Sequence, residues 1–151
     1  AERVTDRGDD LITEDATGGD NRSVAEGTRI DPASVKAYLA RAVAWHKKGD
    51  DKHAIADFDE AIRLQPGNST AYNNRAAAFR DMGQHDRELA DYNEAIRLDP
   101  GNQVALVNRG ILYMKMSDAK HARADFNSVL ALPPTDKWAT DTAREGLGFL
   151  K

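Results

Sequence analysis

Apolar residues recur at helical spacing between residues 35 and 136. In the middle of the chain, Tyr72, Ala76 and Phe79 lie at positions i, i+4 and i+7, which places them on one side of a helix. A second amphipathic pattern follows Gly83. The pattern therefore predicts pairs of helices, each with one apolar side. One such pair cannot form a core alone, so the pairs are expected to stack on one another.

The pattern repeats every 34 residues. Residues 57–68 (DFDEAIRLQPGN) recur as residues 91–102 (DYNEAIRLDPGN) with nine of twelve positions identical, and a looser copy begins at Asp125. The sequence therefore predicts three helix–turn–helix repeats within residues 34–136. Their bounds are 35–68, 69–102 and 103–136.

The turn inside each repeat has its own signal. Gly49 and Gly83 lie where a left-handed residue is needed to end the first helix. Ser117 occupies this position in the third repeat, so we expect that turn to be built differently.

The two ends of the chain differ from the repeats. Residues 137–151 predict one more amphipathic helix, which would cap the stack. Residues 1–33 form an acidic arm, because residues 1–34 hold nine acidic residues against four arginines. Within the arm, residues 21–30 align with the second helix of a repeat, so they are either a degenerate helix or a chance match. Ala1 is expected to be a cloning remnant or the residue after a removed signal peptide, which leaves the cytoplasm and an exported location as alternatives.

Several positions carry large, small and aromatic residues in the same phase. A large residue stands at the fourth position (Tyr38, Tyr72, Leu106), a small one at the eighth (Ala42, Ala76, Gly110) and an aromatic one at the twenty-fourth (Phe58, Tyr92, Phe126). This pattern resembles the tetratricopeptide repeat family over residues 35–136. Glu88 and Val129 depart from the small residues that the family has at its twentieth and twenty-seventh positions. The resemblance implies an all-α fold, a right-handed α-solenoid of three hairpins with a C-terminal capping helix.

The resemblance also implies that the first helices of the repeats line a concave groove. Its centre would be rich in amides, which can pair with a peptide backbone, and its flanks would be apolar. The predicted partner-binding residues are Leu39, Val43, Asn73, Asn74, Ala77, Val107, Asn108 and Ile111. One subtype of the family grips a C-terminal carboxylate with basic residues. Asn74 matches that clamp, but Leu39, Val104 and Asn108 stand where basic residues are needed, so we expect no such clamp here.

An arginine precedes an aspartate by sixteen residues in every repeat. The pairs are Arg41 with Asp57, Arg75 with Asp91, and Arg109 with Asp125. In an antiparallel hairpin, residues equidistant from the turn come level with each other, so we predict structural ion pairs between the two helices. A row of arginines displayed for an acidic ligand is the alternative.

No catalytic, metal-binding or cofactor-binding motif stands out. The chain has no cysteine, no histidine pair with metal-ligand spacing, no nucleophile elbow and no glycine-rich phosphate loop. We therefore predict a chain that is not an enzyme and that has no metal and no cofactor. A net charge of −4 argues against nucleic acid as a partner, and the lack of a long apolar run argues against membrane insertion.

These observations predict a soluble, non-catalytic protein–protein interaction module, an adaptor or scaffold that binds an extended or helical segment of a protein partner. One alternative is a self-assembling or auto-inhibited module, in which the acidic arm occupies its own groove or that of a neighbour and gives a homo-oligomer. Another alternative is an accessory subunit of an enzyme complex, with the chemistry in a partner chain.

Overall fold

The computed structural model describes residues 32–151, and these residues form seven α-helices and no β-strand. In chain order the helices are α1 (Pro32–Lys47), α2 (Asp51–Leu64), α3 (Ser69–Asp81), α4 (His85–Leu98), α5 (Gln103–Lys115), α6 (Ala119–Ala131) and α7 (Lys137–Phe149). Three hairpins, α1–α2, α3–α4 and α5–α6, stack in order, and α7 packs on both helices of the last one. The fold is an all-α solenoid of helical hairpins. Residues 1–31, which include the segment 21–30, lie outside the described residues, whereas the last two residues of the predicted arm, Pro32 and Ala33, belong to α1.

Among these seven helices, none combines the length and the apolar character that crossing a membrane requires.

The three turns inside the hairpins share one backbone geometry. Gly49 and Gly83 have φ angles of 84° and 74°, and Ser117 has a φ of 60°. In each turn the amide three residues beyond the helix end donates to a carbonyl five residues earlier, as Asp50 N does to Trp45 O at 2.9 Å. The expectation that the third turn differs is therefore wrong. Ser117 adopts the left-handed conformation itself, at the steric cost that glycine avoids.

Side chains at the start of the helices explain where the helices begin. Asn68 and Asn102 accept hydrogen bonds from backbone amides three residues further on, at 3.0 Å each. Asp50 and Asp118 cap α2 and α6 in the same way. The backbone amide of His53 lowers the pKa of Asp50, because it stabilises the charged form of the carboxyl group.

The core consists of aromatic rings set against small residues. Phe58, Tyr92 and Phe126 lie at equivalent positions and are almost completely buried. Glu88, the departure from the small-residue pattern, is also buried and pairs with His85 Nδ1 at 2.9 Å. The second hairpin still packs its two helices as extensively as the first. Burial, with a contribution from the nearby Glu88 charge, raises the pKa of Tyr92.

The capping helix is held by a buried amide and by two glycines. Gln103 Nε2 donates to the carbonyls of Val129 and Pro133, and its Oε1 accepts from the backbone amides of Thr135 and Asp136. These bonds fix the segment that leads into α7. The two glycines allow α7 to pack closely. The Phe126 ring lies between Gly110 of α5 and Gly146 of α7, and neither glycine has room for a Cβ.

Candidate functional site

The first helices of the three hairpins, α1, α3 and α5, form one surface. Asn108 of α5 donates through Nδ2 to Asn73 Oδ1 of α3 at 3.2 Å, which shows that these helices lie side by side. Their residues at repeat positions 2, 6, 9 and 13 follow the i, i+4, i+7 spacing of a single helix face. We call this surface, together with position 5, the inner face. Its rows are Lys36, Thr70 and Val104; Leu39, Asn73 and Val107; Ala40, Asn74 and Asn108; Val43, Ala77 and Ile111; and Lys47, Asp81 and Lys115.

Exposure separates one predicted contact residue from the others. Leu39, Val43, Asn73, Asn74, Ala77, Asn108 and Ile111 are all half-buried. Val107 has no exposed surface and packs in the same core cluster as Ala139 and Ala143. The prediction that Val107 contacts a partner is therefore wrong. Position 5 of a repeat faces the next element along the stack, and after the third repeat that element is α7.

The three asparagines of the inner face form a continuous hydrogen-bonded row. Besides the bond from Asn108 to Asn73, Asn73 Nδ2 donates to Asn74 Oδ1 at 3.4 Å. Within residues 32–151, the Nδ2 group of Asn74 and the Oδ1 atom of Asn108 have no hydrogen-bond partner from another side chain or from the backbone. The row therefore presents a donor at one end and an acceptor at the other, which is what an extended backbone can pair with.

Charge is divided unequally between the first and second helices of the hairpins. The first helices, α1, α3 and α5, contain seven lysines and arginines against one acidic residue, Asp81. The second helices, α2, α4 and α6, contain six basic and nine acidic residues. The inner face is thus the positively charged side of the molecule, although the whole chain carries a net charge of −4. This division is visible only once helices are assigned to faces.

Three of the seven basic residues bridge helices instead of facing a ligand. Arg41, Arg75 and Arg109 each make two hydrogen bonds, at 2.6 to 2.8 Å, to the aspartate sixteen residues later. The arginine side chains are 17 to 21% exposed and the aspartates 6 to 8%. Such paired, largely covered guanidinium groups favour the structural interpretation over a displayed row of arginines.

The arginines also connect neighbouring hairpins, which the sequence reasoning missed. Arg75 Nη1 donates to Asp59 at 2.7 Å, and Arg109 Nη1 donates to Asn93 at 2.9 Å, each partner sixteen residues earlier. The hydrogen bonds to Asp91 raise the pKa of Arg75 above its ordinary value, and those to Asp125 do the same for Arg109. The signal was present in the sequence, because Asp59 and Asn93 are themselves 34 residues apart.

Three of the four remaining basic residues of the first helices are available to a ligand. Lys36, Lys47 and Lys115 are exposed and have no ion-pair partner among residues 32–151. Arg80 differs from these lysines, because it pairs with its neighbour Asp81 at 3.2 Å and its charge also acts on the Tyr92 hydroxyl, whose pKa it lowers. Lys36 lies at the beginning of α1, whereas Lys47, Arg80 and Lys115 lie at the ends of their helices. Positive charge therefore borders the asparagine row on two sides.

The histidines are all engaged with carboxylates. His53 pairs with Asp50 and stacks on Trp45, with ring centroids 4.7 Å apart, and His121 pairs with Asp118 at 2.7 Å. In the described part of the chain, a metal ion could be held by one group, His46, Asp51 and Asp81, whose ligand atoms lie within 4.8 Å of one another. His46 Nδ1 already makes a 2.6 Å hydrogen bond to Asp51. That bond joins the end of α1 to the start of α2 without a metal.

The stacked hairpins and the face lined by their first helices define a helical-repeat protein. Two family models of the tetratricopeptide repeat match the chain, one over residues 35–68 and one over residues 52–103. These matches show tetratricopeptide repeats over residues 35–103. A search of curated protein sequences finds no significant match.

Solved structures of this family superpose on the chain. The TPR domain of Arabidopsis OM64 is 29% identical, with a TM-score of 0.67 over 76% of this chain and 95% of that one. The second TPR domain of human RPAP3, solved in complex with the HSP70 peptide SGPTIEEVD, is 26% identical, with a TM-score of 0.63 over 72% and 91% of the two chains. The first TPR of Spaghetti (RPAP3), bound to the HSP90 peptide SRMEEVD, is 23% identical, with a TM-score of 0.70 over 82% and 98%. At this last level of identity the likeness shows the shared fold alone.

Both RPAP3 domains were solved with a bound peptide, so structures of this fold include peptide-binding modules. Tetratricopeptide repeat domains are generally non-catalytic.

Proposed function

We propose that this protein is a non-catalytic interaction module that binds an extended or helical segment of a protein partner along the inner face. The observation that carries the proposal is the asparagine row, Asn74–Asn73–Asn108, with its unpaired donor and acceptor at the two ends. Buried polar contacts to a peptide backbone fix its position whatever its side chains are. The partly exposed side chains of Val43 and Ile111 supply apolar contact area beside the row.

The charge of the inner face indicates what kind of segment binds there. Lys47 and Lys115 lie one helical turn beyond the apolar row of Val43, Ala77 and Ile111, as repeat position 13 follows position 9. Asp81, the third residue at position 13, is already paired with Arg80. An acidic segment with one or two aliphatic residues fits this arrangement. Charge complementarity of this kind mainly increases the association rate and the specificity.

The peptide in the complex of the second RPAP3 domain is itself acidic and ends in EEVD. It supports an acidic peptide as the class of ligand for this chain. We do not expect the same grip on the C-terminal carboxylate, because Leu39, Val104 and Asn108 replace the basic residues of that clamp. The segment bound here is therefore an internal acidic stretch of the partner rather than its C-terminus.

The test uses peptides selected against the full chain from a random library, with affinities measured by fluorescence anisotropy. We expect Asn74→Asp combined with Asn108→Asp to weaken binding about tenfold or more, since the new charges repel an acidic ligand and remove amide donors. The matched control is Asn127→Asp, an exposed asparagine on the second helix of the third hairpin, which should bind as the unaltered chain does.

The thermal midpoint should change little in either variant, because all three side chains are at least partly exposed. Unchanged affinity in a folded double variant would contradict the proposal. So would a selection that yields basic instead of acidic peptides.

A further inference from the structure

One segment of the acidic arm has the chemistry that the inner face is built to bind. Residues 9–15 read DDLITED, with four acidic residues around Leu11 and Ile12 and no basic residue. The next basic residue in the chain is Arg22. This stretch is therefore the most acidic part of the chain and carries an aliphatic pair at its centre.

The inner face complements this segment in both charge and polarity. Val43, Ala77 and Ile111 form an apolar row that can accept the aliphatic pair. Lys47 and Lys115, exposed and without ion-pair partners in the described residues, border that row and can accept the carboxylates. The second helices do not offer this combination, because their acidic residues outnumber their basic ones.

The connecting chain is long enough for the segment to reach this surface. Sixteen residues separate Asp15 from Pro32, the first residue of α1. Extended, they span up to about 50 Å. The sixteen residues of α1 rise by about 24 Å, so Asp15 can reach Lys47 at the far end of the helix with chain to spare. A tether of this length gives the segment an effective concentration of about a millimolar at the inner face.

We propose that residues 9–15 bind to the inner face of their own chain and compete with the partner for it. This inference rests on the proposed function, since it assigns a built-in competitor to the same site. Partner binding then requires displacement of the arm. A weak contact in solution becomes an effective competitor because the tether raises its local concentration.

The chain is well suited to a direct test because it contains no cysteine. A spin label attached to the full-length Thr13→Cys variant should broaden the backbone amide signals of nearby residues in a nitrogen-15 spectrum. We expect the signals of Val43, Ala77 and Ile111 to lose at least about half their intensity, and those of Glu60 and Asn127 on the second helices to keep theirs. Neutralising the segment with Asp9→Asn, Asp10→Asn, Glu14→Gln and Asp15→Asn should restore the lost intensity, because the attraction is electrostatic.

Two results would overturn the proposal. One is a spectrum in which the inner-face signals are no more broadened than those of the second helices. The other is broadening that disappears when the protein is diluted. The same conclusion would follow if a nitrogen-15-labelled chain without a spin label were broadened by a second chain that carries the spin label but no nitrogen-15. That second pattern would mean that the arm binds a neighbouring copy and not its own chain.

The outcome is distinguishable from failure of the proposed function. The four arm substitutions should increase the affinity for a selected acidic peptide severalfold, whereas the two asparagine substitutions should reduce it. If the asparagine variants lose the peptide but the spin label broadens nothing, the inner face is a binding site and the arm is not its competitor. If the label broadens the inner face but the asparagine variants bind the peptide unchanged, the arm contact stands and the proposed function falls.

Discussion

In the first two hairpins the small residue of the first helix is Ala42 or Ala76, whereas the third hairpin has Gly110 at this position. A Cβ on Gly110 would lie 2.6 Å from a ring carbon of Phe126, and one on Gly146 of the capping helix would lie closer still. The Phe126 ring is therefore enclosed from both sides by backbone. The alanines of the first two hairpins keep their methyl groups and are fully buried.

The comparison shows that the same hairpin meets different demands from whatever packs on it. In the first two repeats the next element is another hairpin with its own large residues. After the third repeat it is a single helix, α7, which closes the core only by approaching near enough to cover Phe126 and Val107. Close approach of a helix backbone to the Phe126 ring requires a residue without a side chain, which Gly146 supplies on α7 and Gly110 on α5.

The largest effect is expected from adding one methyl group where α7 contacts Phe126. Gly146→Ala should lower the free energy of unfolding by about 3 kcal/mol, because the new Cβ overlaps a ring that has no room to move. Urea denaturation followed by circular dichroism measures the change. Gly148→Ala is the matched control, since a Cβ there meets nothing within 4 Å. In a helix, that substitution should stabilise by about 0.5–1 kcal/mol.

The overlap between a Cβ at position 146 and the Phe126 ring can also be relieved by shortening Phe126. Phe126→Leu alone should destabilise, but in combination with Gly146→Ala its effect should be smaller than the sum of the two, because the shorter side chain leaves space for the methyl group. Strict additivity of the two substitutions would show that Phe126 is not what makes Gly146 necessary.

A smaller effect is expected at the first residue of the third repeat. Gln103→Ala should destabilise by about 2 kcal/mol, because it leaves the carbonyl of Pro133 and the backbone amides of Thr135 and Asp136 without partners. Ser69→Ala is the equivalent change in the second repeat and should cost about 1 kcal/mol. Ser69 Oγ donates to the carbonyl of Ala95, which keeps the Asp99 amide as a partner, and accepts one hydrogen bond from Asn102 Nδ2.

Hydrogen exchange shows which helices lose stability in the Gln103→Ala variant. In the Gln103→Ala variant the amides of α7 should exchange faster while those of α2 keep their protection, because the lost bonds hold only the segment that leads into the cap. Equal acceleration in both helices would contradict a local role for Gln103.

The smallest expected effect concerns the turns. Ser117→Gly should stabilise the chain by about 1 kcal/mol, because glycine adopts a positive φ without the steric cost that serine has. The reverse change, Gly83→Ser, should destabilise by a similar amount, since Gly83 has a φ of 74° in the equivalent turn. Thermal melts of both variants suffice. If the two substitutions shift stability in the same direction, the turns are not equivalent.

The repeat period predicted much of this molecule, because it records a packing requirement that recurs in every hairpin. The helix pairs and the aromatic core residues all followed from residues that return every 34 positions. Ser117 shows where that reasoning was too strict. A left-handed residue is required by the backbone of the turn, and the turn keeps its geometry even when the residue is not glycine.

The sequence by itself determined the class of fold and the candidate face, since helical spacing assigns residues to one side of a helix without knowledge of its neighbours. Only the tertiary structure decided which residues of that face are accessible and what charge it carries. Val107 has the same repeat position as Asn73, yet it is buried because α7 lies beyond it. Accessibility and net charge depend on which helices are neighbours, and residues distant in the chain decide that.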